Sequence, residues 1–173
     1  MPNRKDILTG KKPTLRLGRI NRKGTRKLIN RKYGKNGNEK KGHIIHTFLT
    51  ILNTVKLYHW NTKSYATHKA TDELYAKMGE LIDHFVEVML GKENMGGRSK
   101  LLKGNNVAGA YVLNLSLYSS NSDFKKQIEY YKTFLIDLSK DATFNSETNV
   151  DLMAIRDEIL AELNKFLYLL SLH

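Results

Sequence analysis

Cysteine is absent from the 173 residues, which excludes a disulfide framework and any thiolate metal site. Proline occurs twice, at Pro2 and Pro13, so nothing later in the chain interrupts a helix by removing an amide hydrogen. No apolar run approaches the ~18 residues of a membrane span. The basic N-terminus has no apolar segment behind it, so it does not read as a secretory signal. It also has little serine and no amphipathic helix, which disfavours a mitochondrial transit peptide. The expected setting is intracellular and nucleic-acid-associated, or inside a virion. The length suits one domain with a real core plus an extension.

Acidic residues are nearly missing from the first quarter. Residues 1–42 hold fifteen Lys and Arg against Asp6 and Glu39, a net of +13, whereas residues 43–173 hold fourteen against fifteen acids, a net of −1. The formal charge of +12 therefore comes from the N-terminal segment alone. That segment is rich in Gly and Asn and too poor in apolar residues to build a core, so residues 1–42 are read as a basic arm, disordered alone or ordered on a partner. Lys11, Lys12, Arg16, Arg19, Arg22, Lys23, Arg26, Lys27, Arg31 and Lys32 are its candidate phosphate contacts, and the pair Lys40–Lys41 closes the run. Such contacts bind DNA or another polyanion without reading sequence. A solubilising tail, a nuclear address or a protein-docking arm are the competing readings.

Residues 43–173 read as a helical domain. Gly42 marks its junction with the arm. Ile45, Phe48, Leu52, Val55 and His59 recur in steps of three and four and form one face of a first helix. A second helix is expected from Tyr65 to about Leu90, with Leu74, Met78, Leu81, Ile82, Phe85, Val88 and Met89 on its core side and Gly91 stopping it. Residues 92–121 form a long connection, first a basic loop and then an extended stretch over 110–118, where Tyr111, Leu113, Leu115 and Leu117 alternate. A third helix follows the cap residues Ser120–Ser122, with Phe124, Ile128, Tyr131, Leu135 and Leu138 as its stripe. After a polar turn over 142–149, a fourth helix spans Val150 to Leu170, led by Leu152, Ile155, Ile159, Leu163, Phe166 and Leu170.

Chemistry-bearing residues gather around the first two helices. On the second helix His68, Asp72, Ala76, Gly79, Asp83 and Glu87 fall in one stripe at about 100° per residue. Two ligand-type pairs are thus separated by residues with almost no side chain, which leaves room for a second helix or subunit to approach. Imidazole and carboxylate together suit iron, manganese or zinc. The stripe runs about 28 Å from residue 68 to 87, too far for one ion. Either there are two sites, or the ends meet across a symmetric partner. The alternative is that these are ordinary solvated charges at i and i+4. His59 alone would pass for a core histidine. His43 and His46 are read as solvent-facing or adjacent to the arm, not as ligands, and Trp60, the sole tryptophan, as a packing residue beside the site.

His59-Trp60-Asn61, followed by His68-x3-Asp72 and Asp83-x3-Glu87, resembles the ferroxidase signature of the Dps miniferritins. Those are DNA-binding, iron-storing four-helix proteins of the ferritin-like superfamily that assemble into shells of twelve. The wording NTKSYATHKA and LIDHFVE is closer still to members encoded by phages and large DNA viruses. The resemblance covers about residues 43–173. It implies an all-α, ferritin-like four-helix bundle with a long crossover between the second and third helices. It also implies an iron site at which His59, His68 and Asp72 of one chain face Asp83 and Glu87 of a two-fold mate, within a dodecamer or at least a dimer. Fe(II) would be oxidised there by peroxide or oxygen. Two departures stand out: the first turn is shorter, with His59 and His68 nine residues apart, and no short helix is expected in the crossover. No Glu-x-x-His occurs anywhere, which speaks against a di-iron centre inside one bundle. The other functional class is a non-catalytic viral structural or genome-packaging protein, with the bundle as an oligomeric scaffold and capsid protein as a further partner.

Overall fold

Apolar residues spaced for helices, uninterrupted by proline, build five α-helices: α1 (Gly37–Asn61), α2 (Tyr65–Gly91), α3 (Met95–Leu102), α4 (Asn121–Leu138) and α5 (Val150–Leu170), with a 3-10 turn at Ala142–Phe144. The computed structural model describes residues 37–102, 115–144 and 147–172, the side chains of Ser99 and Ala142 apart, and the regular structure among those residues is all helical. None of these helices is long and apolar enough to cross a membrane.

The later helices follow their sequence pattern closely. In α4 the buried residues are Phe124, Ile128, Tyr131, Leu135 and Leu138, the stripe read from periodicity. Ser120 caps this helix, its hydroxyl accepting a hydrogen bond from the Asp123 amide at 3.1 Å. Such a cap satisfies one of the amides left without a partner in the first turn. Ser64 does the same for α2, accepting from the Thr67 amide at 3.3 Å.

Four expectations are corrected. α1 begins at Gly37, not after Gly42, so Lys40 and Lys41 belong to the bundle and not to the arm. Lys40 Nζ binds Asp141 at 2.9 Å and Lys41 pairs with Glu93; acids distant in sequence thereby hold a first turn rich in Gly and Asn. The buried face of α1 is wider than the expected stripe: Ile45, Phe48, Val55 and His59 lie inside as read, Ile44, Ile51 and Tyr58 join them, and Leu52 sits at the margin. This helix touches two neighbours, so the buried arc is wider than one stripe. The connection after α2 contains α3 where a loop was expected: Leu101 is fully buried, and Arg98 Nε donates to the Leu90 carbonyl at 2.9 Å, closing the end of α2. Lastly, the turn before α5 buries Phe144. The expected extended stretch falls partly on residues outside those described; residues 115–119 are non-helical.

The helices pack antiparallel around one core. The end of α1 meets the start of α2 at His59 and His68, and the start of α4, where Tyr58 stacks on Phe124 at 3.8 Å. Phe124 in turn sets its edge against Phe166, near the end of α5, at 5.9 Å. At the opposite end Lys92, just after α2, pairs with Asp151 of α5 at 2.8 Å. Both α2 and α4 therefore start where α1 stops.

The Lys40–Asp141 contact carries a pH dependence. Partial burial alone would push the Asp141 carboxyl up. The hydrogen bonds from Lys40 and from the Thr143 amide and hydroxyl outweigh it and hold the pKa below its ordinary 3.8. A depressed carboxylate stabilises the fold above its unfolded pKa, and that contribution is lost as pH falls through the folded value. The pair is partly solvated, so the effect is small. Asp141→Asn is expected to lower Tm by roughly 2–4 °C at pH 6. Thermal melts on both proteins should converge as the pH falls through the folded pKa of Asp141; an offset that persists below it would mean the loss is not electrostatic.

Candidate metal centre

The turn between α1 and α2 creates the site. Three residues join the helices, and the turn is closed by the Thr62 amide donating to the Tyr58 carbonyl at 2.9 Å and the His68 amide donating to the Ser64 carbonyl at 2.8 Å. His59, in the last turn of α1, is thereby laid on His68, in the first turn of α2, with ring centroids 3.9 Å apart and planes within 24°. This short turn is what stacks the rings.

Each imidazole is held by the other helix's backbone. His59 Nδ1 lies 3.1 Å from the His68 carbonyl and 3.2 Å from Thr71 Oγ1, and His68 Nδ1 lies 3.0 Å from the His59 carbonyl. A carbonyl oxygen only accepts, so both Nδ1 atoms carry hydrogen and, in the neutral rings, both lone pairs stand on Nε2. Histidines that bind metal through Nε2 are oriented in this way by a second partner on Nδ1. The hydroxyl of Thr71 donates to the Thr67 carbonyl at 2.8 Å, which turns a lone pair toward His59.

Asp72 completes the cluster. Its Oδ1 stands 3.8 Å from His59 Nε2, beyond hydrogen-bond length, and its side chain is 55% exposed. The same oxygen is 3.8 Å from Lys56 Nζ. That ammonium lies over the rings of Tyr75, 4.7 Å from the centroid, and Trp60, at 5.7 Å. An imidazole with an outward lone pair beside a carboxylate is a donor set that fits a borderline cation such as Fe(II), Mn(II) or Zn(II).

The five predicted ligands divide into two groups. His59, His68 and Asp72 come together, whereas Asp83 and Glu87 are exposed farther along α2, Asp83 about 16 Å beyond Asp72 by the helical rise. Within one chain, no three His, Asp or Glu side chains among the described residues form a metal-holding group. In the interior the buried polar residues are Thr47, Thr54, His59, Thr67 and Thr71, so no described carboxylate is buried there. On α5, Asp157 is exposed beside Arg156 at 3.1 Å, whereas Glu162 is partly buried, its Oε2 paired with Lys165 at 2.5 Å.

Some readings around the site change. Trp60 is 68% exposed, not packed; it projects beside Lys56. His43 and His46 are half-buried: their rings lie 6.4 Å apart, and His43 meets the edge of Phe134 at 6.0 Å. Lys56, Thr71 and Tyr75 were missed from sequence. Lys56 precedes His59 by three residues and Thr71 follows His68 by three, so helical spacing alone places each on its histidine's face. The ten arm residues from Lys11 to Lys32 lie outside the described residues.

A helical bundle with an imidazole–carboxylate cluster at the hinge of its first two long helices is the class these features define. The chain belongs to DUF5856, a family of unknown function, whose pattern matches residues 59–170. The match begins at His59, includes all five predicted ligands and ends with α5. No curated protein and no solved structure matches the chain.

Proposed function

We propose that the protein is a Dps-like miniferritin that binds Fe(II) at a site shared by two chains and holds DNA through its basic arm. The observation that carries this reading is the stacked His59–His68 pair, with both Nδ1 atoms committed to backbone carbonyls and Asp72 beside the outward Nε2. A core histidine pair would also satisfy its Nδ1 atoms, but it has no need of a carboxylate beside Nε2.

The separation of Asp83 and Glu87 from this cluster favours a two-fold partner, since an antiparallel mate brings one chain's carboxylate pair against the other's imidazoles. The parallel run of α2 and α4 supports the ferritin-like fold. A long crossover would suit this arrangement, since α2 ends at one end of the bundle and α4 starts at the other, about 40 Å apart for a helix of 27 residues. Iron is substrate and cargo here: peroxide accepts two electrons, one from each of two Fe(II), and leaves as water. Manganese or zinc are the other cations that suit the donor set. DNA binding rests on residues 1–36, thirteen Lys and Arg against Asp6, a net of +12, and would weaken steeply with salt. In a shell of twelve the arms, at +12 each, would carry about 144 positive charges, so polyanion would also screen particle self-repulsion.

The test is an anaerobic Fe(II) titration followed by peroxide, on wild type and on His59→Ala/Asp83→Ala, with particle mass read from the same samples. Saturable binding and rapid oxidation, lost in the double variant at unchanged mass, is the expected result. Binding no better than the variant's background sinks the iron reading. The bundle would then be a scaffold, and the arm its working part on a genome or capsid protein.

A further inference from the structure

We infer that Lys56 is a resident counter-cation of the metal cluster, which an arriving dication displaces from Asp72 and which thereby sets the concentration at which the site fills. The inference rests on the metal reading above and adds a regulating residue to it.

Four distances carry it. Lys56 Nζ and His59 Nε2 stand at the same distance, 3.8 Å, from the same oxygen, Asp72 Oδ1. An ion taken up between His59 and Asp72 must therefore compete with an ammonium already facing that carboxylate. The ammonium also lies 4.7 Å from the Tyr75 centroid and 5.7 Å from that of Trp60, both inside cation–π range. It can leave Asp72 and keep the aromatic faces, so release needs no rearrangement of α1. The side chain of Lys56 is 27% exposed against 55% for Asp72; the cation is the more sheltered partner, and the carboxylate is the one open to an incoming ion. Trp60, the sole tryptophan, stands beside the moving charge and reports on it.

Lys56→Met removes the charge and keeps an unbranched apolar stem. A unit charge several ångströms from a dication, in a partly solvated site, changes affinity by roughly five- to tenfold. The experiment is a Co(II) titration of the full chain, followed by Trp60 emission and by visible absorption of the bound ion, on wild type, Lys56→Met, Lys56→Arg and His59→Ala. The expected result is saturable binding lost in His59→Ala, about five- to tenfold tighter in Lys56→Met, and no tighter in Lys56→Arg. Equal affinity in wild type and Lys56→Met overturns the role of Lys56 and leaves the metal site standing. Tightening in Lys56→Arg as strong as in Lys56→Met also overturns it, because side-chain shape and not charge would then be responsible. Saturation in neither wild type nor Lys56→Met removes both this inference and the metal reading.

Discussion

Co-expressed His59→Ala and Asp83→Ala chains are expected to recover about a quarter of the wild-type Fe(II) sites, although neither variant alone recovers any. The reason is geometric. His59, His68 and Asp72 gather at the α1–α2 hinge, and Asp83 lies three turns farther along α2 on the exposed side. If a two-fold mate supplies the second half, a mixed dimer has one site with both defects and one with none. Random pairing makes about half of the dimers mixed, each with one working site of two, hence the quarter. A site complete within one chain gives no recovery, because every chain then carries a defect in its own site. Counting bound iron against the mixed-dimer fraction from native mass separates the cases. Mixed dimers with no iron would confine the site to one chain and exclude the shared arrangement.

Phe124→Ala is expected to destabilise the bundle by about 3–5 kcal/mol. Its ring is fully buried, stacked on Tyr58 of α1 at 3.8 Å and edge-on to Phe166 of α5 at 5.9 Å. One side chain thus joins three helices at the end where His59 sits, and the small residue leaves a cavity that none of them can close alone. For a domain of this size the loss corresponds to a Tm drop of roughly 10–15 °C. Tyr168→Ala, on a residue 63% exposed, should stay within about 0.5 kcal/mol. Urea or thermal denaturation distinguishes them, and a Phe124 effect no larger than that of Tyr168 would place the core elsewhere.

Much of this architecture is local and could be read before folding. The span of α5 and the buried set of α4 follow from three-and-four spacing, and the Ser120 cap from its residue type; each depends only on neighbours in the chain. The candidate ligands were legible for the same reason, as residue types at positions 59, 68, 72, 83 and 87. Other features depend on contacts distant in sequence. The start of α1 is held by Asp141 and Glu93, so the apolar pattern of α1 alone puts the helix six residues late. Its buried face is wider than one stripe because α2 and α4 approach it from two directions. α3 exists because Leu101 finds a place in the core and Arg98 finds the carbonyls at the end of α2.

The site divides along the same line. Charge segregation and the inventory of imidazoles and carboxylates are properties of composition and period, and they belong to the chain in any conformation. Which nitrogen of His59 and His68 faces outward is not, since each proton is committed to a carbonyl on the other helix. The place of Lys56 between Asp72 and two aromatic faces likewise arises only when α1 and α2 lie side by side. The separation of Asp83 and Glu87 from the imidazoles follows from the rigid rise of α2, which keeps residues eleven positions apart from meeting within one helix.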